Sequence, residues 1–180
     1  MVASKLRPCV FFDRDGVINL SPGPSYVLSW QEFAFTPGII SVLKWVKQQG
    51  FPIILITSQR GVGKGLMSMQ DLDRIHDNMQ LQLKSQAAHF DAIYAYTETP
   101  DCINLAKPDP QMLFAAASDL KLDLHQSLMI GDSDRDIVMG NNADLLHCIR
   151  FLSDKSPAVK ADFTVSDSLE LQKVLEKILL

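Results

Sequence analysis

Two aspartates with one residue between them close an apolar run, in Cys9-Val10-Phe11-Phe12-Asp13-Arg14-Asp15-Gly16-Val17-Ile18. Carboxylates this close cannot both be buried and ionised without a cation: either they bind one, or one of them holds a proton. The spacing alone is a weak signal, because the chain holds seventeen Asp and Asp71/Asp73 repeat it within a helical pattern. Context sets the first pair apart. Val10, Phe11 and Phe12 suit a strand buried on both faces. Asp13 then stands where that strand leaves the sheet, and Gly16 permits the turn that follows. Polar groups recur at comparable places downstream: Thr57-Ser58 after an apolar run, Lys107-Pro108 before a helical pattern, and Asp132 with Asp136 after another apolar run.

The elements that must position these groups alternate in type. Thr36-Pro37-Gly38 predicts a helix start with Thr36 as N-cap and Pro37 at the first position. Ile39, Val42, Leu43 and Val46 form its apolar stripe, and Gly50 ends it. Phe51 to Ile56 reads as a buried strand ending on Thr57-Ser58-Gln59. The loop Gly61-Val62-Gly63-Lys64-Gly65 follows, and then a helix opened by a Ser68/Asp71 capping box with Leu72, Ile75, Met79 and Leu83 inward. Asp91–Tyr96, Leu128–Gly131 and Leu146–Ile149 read as further strands, with Asp162–Val165 a short sixth. Asp109-Pro110 and Ser166 are the expected caps of two more helices, and Ser133 to Asn141 reads as helical. This alternation predicts an α/β fold with a mostly parallel sheet and right-handed crossovers. In such a sheet the carboxyl ends of the strands lie on one edge, so residues spread along the chain converge there. Carboxylates, a lysine and hydroxyls at that edge make an inventory for phosphate and a hard cation: carboxylate oxygens suit Mg²⁺, and Lys and Thr suit phosphate oxygens.

Composition narrows the function classes. A chain of 180 residues that is 47% apolar predicts one domain spanning 1–180, with a core of its own. A net charge of −4 gives no general attraction for nucleic acid or an anionic membrane. No apolar stretch reaches the ~20 residues of a membrane span, and the first ten residues do not read as a signal peptide. Cys9, Cys102 and Cys148 form no close pair, which predicts a reducing compartment, with the cytoplasm as default. His76, His89, His125 and His147 are scattered and read as structural or surface residues. Gly61-Val62-Gly63-Lys64-Gly65 does not complete a nucleotide P-loop, because Ser58 stands where its first Gly belongs and Gly65 follows the Lys.

Taken jointly, Asp13-Arg14-Asp15-Gly16, Thr57, Lys107-Pro108 and Gly131-Asp132-Ser133-Asp134-Arg135-Asp136 resemble the four motifs of the haloacid dehalogenase superfamily, in order and spacing, over nearly the whole chain. Phe12-Asp13-Arg14-Asp15-Gly16-Val17-Ile18-Asn19, Thr57-Ser58-Gln59-Arg60-Gly61-Val62 and Lys107-Pro108-Asp109-Pro110-Gln111-Met112 are closer still to the group holding the heptose bisphosphate and histidinol-phosphate phosphatases, and the spacer after the glycine-rich loop looks more like the heptose branch. The resemblance implies a Rossmann-like three-layer fold with a small flap, drawn from Asn19 to Phe35, and no large cap domain.

It also implies roles. Asp13 would be the nucleophile and Asp15 the acid and base. Thr57 and Lys107 would hold the phosphoryl group. Asp13, the Asp15 carbonyl and Asp132 would hold Mg²⁺, with Asp136 supporting from behind. Ser21, Tyr26, Ser58, Gln59 and Arg60 are candidates for gripping the rest of a small phosphorylated metabolite. The chain departs from the group's pattern at three places. Ser58 replaces the usual Asn, Ala106 stands where an Arg precedes the motif lysine, and 97–106 carries only Cys102 where the relatives have a Cys/His zinc loop. One thiolate cannot make a tetrahedral site, so no structural zinc is expected. The implied activity is Mg²⁺-dependent phosphomonoester hydrolysis through an aspartyl-phosphate, on heptose 1,7-bisphosphate, histidinol phosphate or another small metabolite, in a cytoplasmic protein for which a monomer is slightly favoured. A phospho-accepting receiver domain, or a binding protein without catalysis, shares part of this inventory. A receiver has no need of an acid at Asp15, and the presence of all the catalytic residue types speaks against a binding protein that has lost catalysis.

Overall fold

The structure is a computed structural model and describes residues 6–153 and 156–180. Among the described residues six strands form one all-parallel sheet: β1 Val10–Phe12, β2 Ile53–Ser58, β3 Ala92–Tyr96, β4 Leu128–Gly131, β5 His147–Phe151 and β6 Phe163–Val165. Their order is β3-β2-β1-β4-β5-β6, so β1 is central and the chain grows outward from it, first to one side and then to the other. The order reverses between β1 and β4, the position where an open α/β sheet leaves a crevice at its carboxyl edge. Five α-helices among the described residues cover the faces: α1 Ile39–Gln48, α2 Met69–Lys84, α3 Gln111–Leu120, α4 Asp134–Asn142 and α5 Ser168–Leu179.

The unbroken apolar strands follow from being covered on both sides. Alternate residues sort to opposite faces. Val10, Phe12, Ile53, Leu55, Leu128 and Ile130 pack in the layer of α1, α2 and α5. Cys9, Phe11, Ile54, Ile56 and Met129 pack in the layer of α3 and α4. Asp13 continues the alternation of Cys9 and Phe11. That parity aims it at the layer from which Lys107 and Asp136 arrive.

Element ends differ from expectation in detail. α1 begins after Gly38, whose φ of 79° makes the turn, and Thr36 does not cap it with its side chain. Asp167, not Ser166, is the N-cap of α5: its carboxylate accepts from the Glu170 N–H at 2.8 Å, while Ser166 donates to the Glu170 carboxylate. β5 runs two residues beyond Ile149 and so takes Arg150 into the sheet. The Ser68/Asp71 capping box is present as expected.

Between β1 and α1 the chain makes a small flap, and no large cap is apparent among the described residues. It is closed at its base by an antiparallel bridge between Asn19 and Phe35 and filled by Trp30, Phe33 and Phe35, with Trp30 stacked on Phe33 at 4.9 Å. Among the described residues no helix is long and apolar enough to cross a membrane. The expectation for the extreme N-terminus lies, over 1–5, outside the described residues.

Candidate active site

Asp13 and Asp132 emerge side by side because β1 and β4 are neighbours, with Phe12 level with Ile130. The Asp13 N–H still donates to the Ile130 carbonyl at 2.9 Å, so its backbone belongs to the end of the ladder. Gly16 leaves the turn with φ +88°. A Cβ there would stand 2.5 Å from Asp132 Oδ2, so both its conformation and its missing side chain are required. Gly131 is needed for a similar reason, since a Cβ there would collide with the Asp136 side chain.

Lys107 enters from the turn before α3 and is 4% exposed. Its ammonium lies 2.7 Å from Asp13 Oδ1 and 2.6 Å from Asp136 Oδ1. Asp136 is fully buried, and its second oxygen accepts from the Ser133 N–H and hydroxyl at 3.0 and 2.6 Å. Burial alone would raise the Asp136 pKa, but Lys107 and Ser133 hold it below the usual carboxylate range. Asp13 behaves oppositely. Burial, with Asp136 and Asp132 nearby, pushes its carboxyl up to about 8 despite Lys107.

One carboxylate oxygen from each of Asp13, Asp132 and Asp136 lies within 4.8 Å of the others. Three acids against one ammonium leave this set short of positive charge, and all-oxygen donors fit a hard divalent cation. Asp136 has both oxygens engaged by Lys107 and Ser133. Asp13 and Asp132 line the cleft, and Asp136 stands behind them, fixing Lys107.

Asp15 sits in a ring of donors. Arg14 Nε and Nη2 reach its carboxylate at 3.0–3.2 Å, Asn19 Nδ2 at 3.0 Å and Gln59 Nε2 at 2.9 Å. Against the effect of burial, the Arg14 charge and these hydrogen bonds hold its pKa below the usual range. Gln59 Nε2 also donates to Thr57 Oγ1 at 2.8 Å. The Thr57 hydroxyl, 1% exposed, thus accepts from Gln59 and keeps its own proton to donate.

The cleft at this edge is lined by Asp13, Asp15, Lys107 and Asp132 on its floor. Ser21, Ser25 and Tyr26 of the flap, Ser58, Ser133 and Arg135 form its walls. Of the residues proposed to grip substrate, Ser21, Tyr26 and Ser58 line this cleft. Gln59 and Arg60 do not. Gln59 is buried between Asp15 and Thr57, and Arg60 lies over the Tyr96 ring at 5.7 Å with Glu98 4.0 Å away. The glycine-rich loop reaches the flap through Lys64, whose ammonium donates to the Tyr26 hydroxyl at 2.9 Å.

Sequence reasoning missed several contributors. Arg135 is an exposed cation on the cleft wall, with no hydrogen bond or ion pair to the described residues. Its signal lay in the motif itself, three residues after Asp132. Arg150, 3% exposed, donates to the Asp132 carbonyl at 3.2 Å and to Asp134 at 2.6 Å, steadying the turn that carries Asp132. Its only signal is the pairing of Arg150 with Gly131, which is a fact of register. In the 97–106 loop, Cys102 Sγ accepts from the Thr97 N–H at 3.4 Å, and Asn104 Nδ2 donates to the Ala95 carbonyl at 2.8 Å, so neutral hydrogen bonds hold this loop against the sheet.

The profile of the haloacid dehalogenase-like hydrolase family matches residues 23–144. Over 137 residues the chain is 36% identical to D-glycero-beta-D-manno-heptose-1,7-bisphosphate 7-phosphatase of Helicobacter pylori, covering 74% of this chain and 78% of that one. It is 35% identical over 164 residues to the D-glycero-alpha-D-manno-heptose-1,7-bisphosphate 7-phosphatase of Burkholderia mallei, covering 84% and 86%. In structure it superposes with a TM-score of 0.81 on the D,D-heptose 1,7-bisphosphate phosphatase of B. bronchiseptica solved with magnesium and phosphate, at 24% identity, over 94% of this chain and 98% of that one.

Proposed function

The chain belongs to the haloacid dehalogenase-like hydrolases, and on that premise we propose that it is a Mg²⁺-dependent phosphatase that removes the 7-phosphate from D-glycero-D-manno-heptose 1,7-bisphosphate. The observation that carries the reading is the trio at the sheet edge: Asp13 at a strand end, Asp132 beside it, and the Lys107 ammonium 2.7 Å from Asp13. The names of the relatives supply the sugar. The reading takes the protein as a cytoplasmic enzyme without a nucleic-acid partner or structural zinc, with a monomer slightly favoured.

Asp13 attacks phosphorus as the bond to the sugar oxygen breaks, leaving an aspartyl-phosphate. Lys107 and the Thr57 hydroxyl hold the transferring phosphoryl oxygens. The leaving alkoxide takes its proton from Asp15. Because the surrounding donors favour the ionised form, Asp15 must take that proton up as substrate binds. Water then gives a proton to Asp15 and attacks, breaking the Asp13–phosphorus bond and releasing phosphate. The Asp13 and Asp132 carboxylates and the Asp15 carbonyl would hold Mg²⁺, which offsets repulsion between nucleophile and phosphate when bound.

The test is a panel of heptose 1,7-bisphosphate, histidinol phosphate and other sugar phosphates compared by kcat/KM. The bisphosphate is expected to lead and to yield one equivalent of phosphate. Equal rates on all of them would remove the sugar assignment. EDTA is expected to abolish turnover and Mg²⁺ to restore it, and activity that persists in excess chelator would contradict the metal's role. Stoichiometric zinc in the purified protein would overturn the reading of the 97–106 loop.

The exposed guanidinium of Arg135 is the group on the cleft wall suited to the phosphate that is not removed, with the flap and Ser58 hydroxyls suited to the sugar. A charged hydrogen bond is worth about 1.5–3 kcal/mol. Arg135→Gln should therefore raise KM for the bisphosphate about 10- to 100-fold and leave a 7-monophosphate nearly unaffected. An equal loss on both would assign Arg135 no part in reading the second phosphate.

A further inference from the structure

Arg14 lies between the two aspartates of the first motif and is fully buried. Its fork is held at both ends. Nε and Nη2 grip Asp15, and Nη1 lies 3.3 Å from His76 Nε2, on α2 and 62 residues away in sequence. A guanidinium only donates, so His76 Nε2 must accept and the ring proton must sit on Nδ1. Burial and the adjacent Arg14 charge lower the His76 pKa to about 3, so the ring is neutral and can accept. A carboxylate at position 76 would instead compete with Asp15 for the guanidinium. An apolar group would leave a buried N–H without a partner, which is unfavourable.

The guanidinium is planar, and fixing its two edges fixes its plane. The carboxylate of Asp15 is bound through that plane. With His76 absent, the long Arg14 side chain gains freedom at Nη1, and the orientation of Asp15 in the cleft loosens with it. Asn19 and Gln59 add single contacts to the same carboxylate, whereas Arg14 supplies three of its hydrogen bonds.

We propose that His76 is a positioning residue for the reaction: through Arg14 it sets the orientation in which Asp15 exchanges protons with leaving group and water. The inference rests on the phosphatase reading and on Asp15 as its proton-transfer group. It reaches back from the cleft into the helical layer, to a half-buried residue of α2 next to the core positions Ile75 and Met79.

The experiment compares kcat/KM for an alkyl phosphate, whose leaving oxygen needs a proton, with that for p-nitrophenyl phosphate, whose leaving group does not. kcat/KM reports only the steps through departure of the leaving group. His76→Leu should lower the alkyl value by up to about 10²-fold, the scale of a misplaced catalytic group, and the nitrophenyl value by less than about threefold. His76→Gln keeps an acceptor and should recover most of the loss. Arg14→Lys keeps the charge but cannot bridge both partners, so it should show the same split even if His76→Leu fails to fold. In an Asp15→Asn background, His76→Leu should add nothing on the alkyl ester. Equal losses on both esters, no loss on either, or failure of Gln to rescue would overturn the positioning role. A wild-type enzyme inactive on both esters and on every sugar phosphate would instead sink the phosphatase reading itself.

Discussion

Asp13→Asn is expected to lower kcat by on the order of 10⁶, the scale of removing a covalent nucleophile, in a protein that folds as well as the wild type. The fold should survive because the interactions of Asp13 do not depend on its charge alone. Its Oδ1 accepts from the Arg14 N–H at 2.7 Å and from Lys107, and an amide oxygen can do the same. Lys107 also keeps Asp136 at 2.6 Å. Removing the charge relieves the effects of burial and of the nearby acids Asp136 and Asp132 that push the Asp13 carboxyl up to about 8. Without metal, the variant should therefore melt no lower than the wild type. With Mg²⁺ the relation should reverse: wild type gains stability by binding the ion, and the variant, short of one ligand, gains less. Thermal unfolding with and without Mg²⁺, beside the rate, separates loss of the nucleophile from loss of the fold. A folded Asp13→Asn protein that hydrolyses sugar phosphates at a comparable rate would rule out the covalent route.

Asp15→Asn should lower sugar-phosphate turnover by about 10²–10⁴, the usual worth of general acid–base catalysis. The structure adds a consequence for stability. Four side-chain nitrogens are aimed at the Asp15 carboxylate, from Arg14, Asn19 and Gln59. An amide offers them one oxygen and turns an NH₂ group toward the rest. Arg14, wholly buried, loses its counter-charge. Breaking a buried pair costs about 3 kcal/mol or more, so the variant should unfold at visibly lower temperature or denaturant concentration than Asp13→Asn. The expected pattern is thus crossed, with Asp13→Asn the slower enzyme and Asp15→Asn the less stable protein. On p-nitrophenyl phosphate, the phosphorylation step of Asp15→Asn should lose less, and a phosphorylated Asp13 should accumulate because water attack lacks its base. Unchanged sugar-phosphate turnover in Asp15→Asn would leave this residue a structural ion-pair partner only and would return weight to a phospho-accepting, non-hydrolytic role.

The fold was legible because its signals are local. Unbroken apolar runs at Val10–Phe12, Ile53–Ile56 and Leu128–Ile130 demand cover on both faces. Alternation with helical stripes then leaves a parallel sheet with helices on either side, as found. Strand-ending Asp13, Thr57 and Asp132 were legible for the same reason, since a sheet gathers the carboxyl ends of its strands on one edge. Cap positions were less so. Thr36 and Ser166 have the right side chains, but Gly38 and Asp167 hold the places, because a shift of one or two residues costs little in local energy and packing decides it.

What the sequence determined by itself is therefore the inventory of the site and its edge of the sheet. Orientation was decided only by tertiary structure. Nothing in Ser58-Gln59-Arg60 says that Ser58 lines the cleft, Gln59 turns inward to join Asp15 to Thr57, and Arg60 turns away to Tyr96. Nothing near Arg14 points to His76, which reaches it from α2, and nothing near Asp132 points to Arg150, which meets it through the β4–β5 register. Strand and helix patterns are set by spacings of two to four residues along the chain. These partners lie 18 to 62 residues apart, and they meet because close packing of the layers leaves each buried charge one direction in which its hydrogen bonds can be satisfied.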